Sequence, residues 1–492
     1  MNGMLHSPSG LPGAVMEPSN MDHASIATYV DREWESSILP VLESYIAIPC
    51  LSPDFDPDWS EHGFIDRGMD LLAGWCRSQN VAPAEIVRLP GRTPVLVLDV
   101  PAYRNGAGPA PTALLYGHMD KQPEMTGWRD DLGPWKPVRE GDRLYGRGGG
   151  DDGYSVFAAL SAIAALRRHE IPHGRSIVLI EASEESGSPD LPEYIEHLSG
   201  RIGDLGLVVC LDSGAGTYDR LWTTSSLRGV AGGVLTVSVM REGRHSGAAS
   251  GIVPSSFRIA RLLLSRIEDA TDGRILIPEA HVDIPEDRVK EARNTAEILG
   301  AGIVRDFPLV DGMRPVAKDL TELVLNQTWR PALSVIGADG LPPVKTAGNV
   351  LRPYTRLKLS LRVPPGVKCG VVGERMKALL EQDPPYGARV AFELEQPGDG
   401  WVAPPTLPWL ARSLDRASTA FFGNPAAVLG EGGSIPFMNM LGERFPKAQF
   451  VITGVLGPDS NAHGPNEFLH IPAAKGVTAS VAQVLSDFHT QC

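Results

Sequence analysis

Cysteines are few in this 492-residue sequence, and they follow no recognisable pattern. The five cysteines are scattered and odd in number, without Cys-x-x-Cys spacing, at Cys50, Cys76, Cys210, Cys369 and Cys492. Paired or regularly spaced cysteines mark disulfide frameworks and thiolate zinc sites. Neither is predicted here, and we interpret the cysteines as buried free thiols that pack as small hydrophobic groups.

The sequence also lacks any apolar run near the roughly 20 residues that a membrane-spanning helix needs. Its first 25 residues do not combine a basic start with an apolar stretch, as a secretory signal does. The formal net charge is -14, and no run of Lys and Arg offsets it, which disfavours nucleic acid and anionic membranes as partners. We expect a cytoplasmic protein with a flexible segment at residues 1–25 and with neither a nucleic-acid nor a membrane partner.

Five short apolar runs, rich in β-branched residues, alternate with amphipathic segments. Such runs are typical of strands buried on both faces of a parallel sheet. They are PVLVLDV, TALLYG, SIVLIEAS, LGLVVCLDS and AQFVITGV, which begin at residues 94, 112, 176, 205 and 448. The intervening YSVFAALSAIAALRRH has its apolar side chains at helical spacing. The alternation predicts an α/β fold with a mixed, mostly parallel sheet flanked by helices.

After about residue 228 the pattern changes to strands and helices in the order β-α-β-α-β. A long segment from about 270 to 345 within this region reads as irregular. We expect residues 228–396 to form an α+β two-layer sandwich inserted into the first domain. Residues 26–227 and 397–492 then make up the two parts of the α/β domain.

A glycine-rich loop, GRGGGDDGYS at residues 146–155, matches the G-x-G-x-x-G pattern of dinucleotide-binding proteins. Such a loop binds a pyrophosphate through backbone N–H groups, and Asp151 and Asp152 would place like charge against that anion. A nucleotide-dependent oxidoreductase also needs an acidic residue about 20 positions further on, at a strand end. Glu170 lies there, but in a helix-to-strand turn. We therefore predict that the loop receives a cation.

Polar residues cluster where the predicted strands end, the edge at which open α/β sheets build their sites. They are His118, Asp120, Glu184, Glu185, Asp212 and His463, and the glycine-rich loop adds Asp151. Gathering so many carboxylates costs at least several kcal/mol for each unpaired buried charge unless cations lie among them. Histidine and carboxylate ligands without thiolates suit catalytic zinc, and manganese and cobalt also fit this ligand type. We predict two metal ions, bridged by a carboxylate of the glycine-rich loop.

Seven segments in chain order, HMD, GRGGGDDG, EESGS, LDSG, RHSG, EGGSIP and AHGPNE, resemble the M20 metallopeptidases. The resemblance is strongest to the carnosinase-like, cytosolic non-specific dipeptidase branch and runs from about residue 30 to the C-terminus. It implies a di-zinc catalytic domain interrupted by a lid domain through which the protein dimerises. One departure is that Gly153 and Tyr154 follow the double aspartate, where the family usually has Lys-Gly. No ligand is lost, but the local pocket differs.

The resemblance implies a role for each residue of the metal site. The implied ligands are Asp151 as the bridge, His118 and Asp212 at one ion, and Glu185 and His463 at the other. Asp120 would orient His118. Glu184 would be the general base that takes a proton from the metal-activated water. The Asp151–Asp152 peptide bond is expected to be cis.

Further residues are implied on the substrate side. His245, on the inserted domain, would stabilise the developing oxyanion in the active site of the partner subunit. Arg362 and Asn349 would anchor the substrate, and Arg362 suits a terminal carboxylate. Gly433 and Ser434 would donate hydrogen bonds, and Glu431 would bind a free amine.

The sequence therefore predicts a homodimeric metal-dependent hydrolase that cleaves the amide bond of dipeptides or similar substrates with a free C-terminal carboxylate. An alternative keeps the same metal site in an N-acyl amino acid amidohydrolase or a carboxypeptidase. A third reading, a catalytically dead relative that only binds its partner, is disfavoured by the intact Glu184 and ligand set. The expected small-molecule partner is a peptide or an N-acyl amino acid.

Overall fold

The computed structural model describes residues 21–104, 111–305, 307–433 and 435–491. A helical segment comes first: α1 (His23–Glu33) passes through the π-type turn Trp34–Ile38 into α2 (Leu39–Ile46). The sequence predicts an interruption at Pro40. The irregular turn instead precedes this proline, and the helix continues through it as α2.

The following part of the chain, up to residue 227, supplies most of the central sheet. Its strands are β1 (Ala84–Val87), β2 (Val95–Val100), β3 (Thr112–His118), β4 (Val138–Glu140), β5 (Arg143–Tyr145), β6 (Ser176–Glu181), β7 (Leu205–Cys210) and β8 (Trp222–Leu227). Its helices are α3 (Trp59–His62), α4 (Phe64–Ser78), α5 (Ser155–Arg168), α6 (Leu191–His197) and α7 (Ser199–Ile202).

The middle of the chain forms a second set of elements. Its strands are β9 (Gly229–Ser238), β10 (Arg244–His245), β11 (Ala332–Asp339), β12 (Val350–Leu351), β13 (Tyr354–Val363) and β14 (Arg389–Leu394). Its helices are α8 (Ser246–Ala249), α9 (Ser256–Leu264), α10 (Glu286–Leu299), α11 (Gly302–Arg305), α12 (Leu320–Thr328) and α13 (Cys369–Glu381).

The last part returns to the central sheet and covers it. Its elements are β15 (Trp401–Val402), α14 (Pro408–Phe422), β16 (Ala427–Glu431), α15 (Pro436–Arg444), β17 (Gln449–Ile452), β18 (Phe468–His470) and α16 (Ile471–Gln491). The long α16 packs against α5 and α14. Across the described ranges, no helix combines the length and apolar character needed to span a membrane.

The central sheet has the strand order β1-β2-β6-β3-β7-β17. β3 runs parallel to both β6 and β7, and β17 runs parallel to β7, whereas β1 and β2 pair antiparallel at one edge. Every residue of β3 and β6 is buried, as expected for strands covered on both faces. The predicted fold class is confirmed, and the carboxyl ends of β3, β6 and β7 meet at one edge.

A four-stranded antiparallel sheet, in the order β11-β13-β9-β14, lies outside the central one. Burial alternates along β13, and the buried face packs with α9 and α13 around a core of its own. Trp401 pairs with Leu227, so the chain leaves for this sheet and returns from it on adjacent strands. We propose that residues 228–396 are the inserted domain between the two parts of the larger one.

The prediction of a long irregular segment from about 270 to 345 is wrong, because α10, α12 and β11 lie within it. On α10 only Ala292, Thr295 and Ala296 are buried, and small or polar residues give a weak periodic signal. On β11 most side chains are exposed, so the strand does not read as an apolar run.

Candidate metal centre

The residues predicted for the metal site gather at the carboxyl edge of the central sheet. Parallel neighbours bring their ends together, so side chains distant in sequence meet there. His118 ends β3, Glu184 and Glu185 follow β6, and Asp212 follows β7. The loop between β5 and α5 contributes Asp151, and the loop between β17 and β18 contributes His463. The Asp151–Asp152 peptide bond is cis.

One group of potential ligands consists of His118, Asp151 and Asp212, all buried, with one donor atom of each within 4.8 Å of the others. His118 Nε2 lies 3.3 Å from Asp151 Oδ1 and 3.7 Å from Asp212 Oδ2. His118 Nδ1 donates to the backbone oxygen of Asp120 at 3.1 Å. In the neutral imidazole this bond leaves the Nε2 lone pair facing the carboxylates, as metal ligation requires.

A second group consists of Asp151, Glu185 and His463, again with donor atoms within 4.8 Å. His463 Nε2 lies 3.0 Å from Asp151 Oδ2 and 3.3 Å from Glu185 Oε2. The imidazole of His463 is 52% exposed, whereas both carboxylates are nearly covered. Asp151 therefore presents one carboxylate oxygen to each group.

The donor set of these two groups fits two divalent cations. Without a cation, burial and the charge of Asp151 raise the pKa of Glu185 to about 8. Burial raises the pKa of Asp212 to about 7. Burial alone would raise the pKa of Asp151 as well, but hydrogen bonds with His118 and His463 hold it below its usual range. Several carboxyl groups thus surround the ionised Asp151, and divalent cations would neutralise the negative charge that these groups carry when ionised.

We expect the metal affinity of the metal-free protein to rise with pH. Below the raised pKa values of Glu185 and Asp212 a proton occupies each carboxyl, and a metal ion must displace it. Each displaced proton contributes up to about a tenfold gain in affinity per pH unit below the pKa of its group. Titration against a competing chelator between pH 6 and 9 measures the gain, which should continue over this whole range, because burial is outweighed by the hydrogen bond with Asp151, which raises the pKa of the ligand His463 to about 9. A metal affinity that does not change between pH 6 and pH 9 would contradict the assignment of Glu185 and Asp212 as metal ligands.

Asp120 fixes the turn that carries the two glutamates. Its carboxylate oxygens accept from the backbone N–H groups of Glu184 at 3.1 Å and Glu185 at 3.0 Å. The same carboxylate lies 3.5 Å from Nδ1 of His118. Asp120 thus ties the end of β3 to the end of β6, a wider role than the orientation of His118 alone.

Glu184 lies beside the ligand groups without belonging to either. Its Oε2 is 4.0 Å from His118 Nε2, and it lines the cavity that contains the cluster. Burial, with the nearby charge of Asp212, raises the pKa of Glu184 well above the usual value. A carboxyl with a raised pKa, facing a cavity next to metal ligands, is suited to proton transfer.

A buried ion pair that the sequence did not reveal joins the two loops of the site. Arg147 Nη1 donates to Glu467 Oε2, and the other oxygen of Glu467 accepts from the backbone N–H of Gly148 at 2.7 Å. Arg147 also donates to the Gly464 oxygen at 2.9 Å. The only sequence signal was position, since Arg147 stands four residues before Asp151 and Glu467 four residues after His463.

The glycine-rich loop packs closely on Tyr45 and on a buried lysine, Lys121. Lys121 Nζ donates to the backbone oxygens of Tyr45 and Ile48 at 2.9 and 2.8 Å and lies 4.0 Å from the ring centre of Tyr45. A Cβ at Gly153 would collide with that ring, and one at Gly148 would lie 2.6 Å from Lys121 Cε. The loop therefore has no room for a side chain at Gly153, and a side chain at Gly148, where φ is +78°, would be strained.

Three of the predicted substrate-side residues, Glu431, Gly433 and Arg362, line a cleft that leads from the cluster. Glu431 and Gly433 line the cavity of about 330 Å³ around the metal site. Glu431 Oε1 accepts from Ser213 Oγ at 2.6 Å, Gly214 N at 2.8 Å and Thr224 Oγ1 at 3.0 Å. Arg362 lines an adjoining cavity of about 860 Å³. Ser434 lies outside the described residues.

His245 and Asn349 lie next to each other at an exposed two-stranded sheet. His245 pairs with Val350, and the Asn349 oxygen accepts from Ser246 N at 2.8 Å. His245 Nδ1 accepts from Gly247 N at 3.1 Å. In the part of the chain that is described, neither residue lines the cleft that contains the cluster. The single chain does not bring these two residues to the metal site.

Residues 114–487 match the family model described as peptidase family M20/M25/M40. The cysteinylglycine-S-conjugate dipeptidase of Corynebacterium striatum is 26% identical over 379 residues, which cover 75% of this chain and 80% of the relative. The human beta-Ala-His dipeptidase is 26% identical over 492 residues, which cover 94% of this chain and 91% of the relative.

The fold is also similar to that of a solved structure, the dipeptidase Dug1p of Saccharomyces cerevisiae. The superposition has a TM-score of 0.77 at 20% identity and covers 95% of this chain and 99% of that one. The likeness extends over both sheets, and at this identity it concerns the fold alone.

Proposed function

The chain belongs to peptidase family M20/M25/M40, and from this premise we propose that it is a metal-dependent dipeptidase for substrates with a free C-terminal carboxylate. The observation that supports this most is the pair of ligand groups that share Asp151, with Glu184 beside them at the end of a cleft. Two relatives that match most of the chain are dipeptidases by name.

We assign the ligand groups to two divalent ions, most simply zinc, with manganese and cobalt as alternatives of similar ligand preference. His118 and Asp212 would hold one ion and Glu185 and His463 the other, with Asp151 between them. When bound, such ions polarise the scissile carbonyl and make the attacking water more acidic.

Glu184 would act as the general base. It would take the proton of the attacking water and then give it to the amine of the leaving residue. Burial raises the pKa of this carboxyl, so Glu184 can hold the proton between the two steps once it has taken it. The hydrogen bond from Glu184 N to Asp120 keeps the residue at the end of β6 while its side chain acts.

The two ends of a dipeptide would meet opposite charges along the cleft. Glu431, held by three donors in the wall next to the metal site, would bind the ammonium group. Arg362 would bind the terminal carboxylate. Gly433 and Ser434 would donate hydrogen bonds between these two ends.

His245 and Asn349 would act on the active site of a second copy. They lie on an exposed part of the proposed inserted domain and do not line the cavity of their own cluster, which agrees with that role. In a homodimer formed through residues 228–396, His245 of one subunit would stabilise the oxyanion in the other. Asn349 would contact the substrate from the same side.

An N-acyl amino acid amidohydrolase or a carboxypeptidase would use the same metal site, but Glu431 would have a smaller role in substrate binding. An N-acyl substrate presents no ammonium group, so the negative charge of Glu431, although hydrogen-bonded within the protein, would face a neutral or apolar group of the substrate. The position of Glu431 therefore favours dipeptides.

The proposed function is tested by measuring the hydrolysis of dipeptides before and after the metal ions are removed. We expect purified protein to cleave Gly-Gly and larger dipeptides, to cleave their N-acetyl forms at least about tenfold more slowly, and to lose activity after prolonged treatment with EDTA. Added zinc, manganese or cobalt should restore it, and metal analysis should find two ions per chain. Full activity after exhaustive chelation, or a preference for the acetylated forms, would refute the proposal.

A further inference from the structure

The cavity at the metal site opens into a larger one. The two cavities share Gly214, Glu431, Gly433, Leu456 and Ala462, so they form one continuous cleft. The metal end has a volume of about 330 Å³ and the adjoining cavity about 860 Å³. The larger volume lies near the upper end of the range for pockets that enclose drug-sized ligands, and two small residues would leave most of it unfilled.

Apolar side chains line this larger cavity from two parts of the chain. Leu299, Ile303 and Val324 come from α10, α11 and α12 in the middle of the chain, while Leu429 and Leu456 come from its last part. Contact with an apolar group of the substrate would remove these side chains from water, which is favourable in proportion to the area covered.

Two arginines add positive charge to the same cavity. Arg362 and Arg228 both line it, and Arg228 is only 9% exposed. The Arg228 guanidinium donates to the backbone oxygens of Gly432, Asn326 and Arg330 at 3.2 to 3.4 Å and, among the described residues, to no carboxylate. Burial and the like charge of Arg362 lower the pKa of Arg228 to about 10. A carboxylate would be stabilised here.

The positions of Glu431 and Arg362 give the direction of a bound dipeptide. Glu431 lies where the two cavities join, whereas Arg362 lines only the larger one. A dipeptide with its ammonium group at Glu431 and its carboxylate at Arg362 therefore has its C-terminal residue in the larger cavity. We propose that this cavity is the subsite for the leaving residue and selects dipeptides whose C-terminal residue has a large apolar side chain.

This inference rests on the proposed dipeptidase function. A pair of isomeric substrates tests the subsite assignment separately from that function. Gly-Phe and Phe-Gly have the same composition and charge and differ only in which side of the scissile bond carries the phenyl ring. We expect kcat/KM for Gly-Phe to exceed that for Phe-Gly and for Gly-Gly at least about tenfold, the usual effect of filling an apolar pocket.

Variants that fill the cavity test the assignment directly. Leu299→Trp should lower the ratio of kcat/KM for Gly-Phe to that for Gly-Gly at least about tenfold. Ile298→Trp is the matched control, because Ile298 is the neighbouring residue on α10, is 36% exposed and does not line the cavity. Leu429→Trp fills the same cavity from another part of the chain and should lower the ratio in the same way.

The possible outcomes distinguish the two proposals. If no dipeptide is cleaved, Gly-Gly included, the dipeptidase function is wrong and the subsite assignment is withdrawn with it. If Gly-Gly is cleaved but Phe-Gly is the better isomer, the function stands and the subsite assignment is wrong. The assignment is also wrong if Ile298→Trp lowers the ratio as much as Leu299→Trp and Leu429→Trp do.

Discussion

Replacement of Glu184 by glutamine is expected to lower kcat for dipeptide hydrolysis about 10²- to 10⁴-fold, the usual contribution of a general base. Glutamine has nearly the same size, and the backbone N–H of residue 184 can still donate to Asp120. The side-chain amide, however, cannot accept the proton of the attacking water. Because Glu184 belongs to neither ligand group, two metal ions should remain bound.

Glu185→Gln is the matched control for this variant. The two glutamates are adjacent, both backbone N–H groups donate to Asp120, and both side chains line the same cavity. Only Glu185 belongs to a ligand group, with Asp151 and His463, so its replacement should lower the metal content. Steady-state kinetics and elemental analysis of both variants give the comparison. If Glu184→Gln loses metal, or keeps more than about a tenth of kcat, another group is the base.

Much of the central sheet could be predicted because its strands are buried on both faces. A strand such as β3 reads as a continuous apolar run, and its position between two parallel neighbours requires this. The short β8, which lies in a separate three-stranded sheet, was not predicted. It contains Thr and Ser residues, and its partners β15 and β16 come from a part of the chain about 175 to 205 residues away.

The residues at the strand ends could also be located from the sequence. In a parallel sheet the end of a buried strand is a fixed place in space, so His118, Glu185 and Asp212 were expected to lie close together. The sequence could not give the distances, nor could it show that Asp151 directs one oxygen to each group.

The groups that support the site could not be predicted, because each depends on a contact between distant parts of the chain. Arg147 and Glu467 are 320 residues apart and become a pair only once the loops of Asp151 and His463 have packed together. Lys121 appears in the sequence as one residue after Asp120, and nothing local shows that its ammonium group is buried against α2. The role proposed for His245 depends on a second subunit, which neither the sequence nor the structure of one chain describes.

Replacement of Asp151 by asparagine should affect both ligand groups at once. Asp151 is the only residue common to the two groups in the described chain, and hydrogen bonds with His118 and His463 keep its pKa low, so its buried carboxylate is ionised. The amide of asparagine is neutral and offers a single oxygen, because its nitrogen is a donor and cannot ligate a metal. Loss of a residue that only supports a ligand costs about 10- to 100-fold in metal affinity. Loss of the shared ligand should cost more than about 100-fold, with a comparable loss of activity.

The neighbouring Asp152 provides the control, since it is equally buried and belongs to neither group. Its Oδ2 accepts from His118 N at 3.1 Å, and burial raises its pKa well above the usual value. A carboxyl that already favours its neutral form resembles an amide in charge and shape, and an asparagine oxygen can still accept this bond. Asp152→Asn should therefore keep both metal ions, while Asp151→Asn should lose at least one in elemental analysis and chelator titration. Equal metal loss in the two variants would mean that local packing, and not a shared carboxylate, holds the ions.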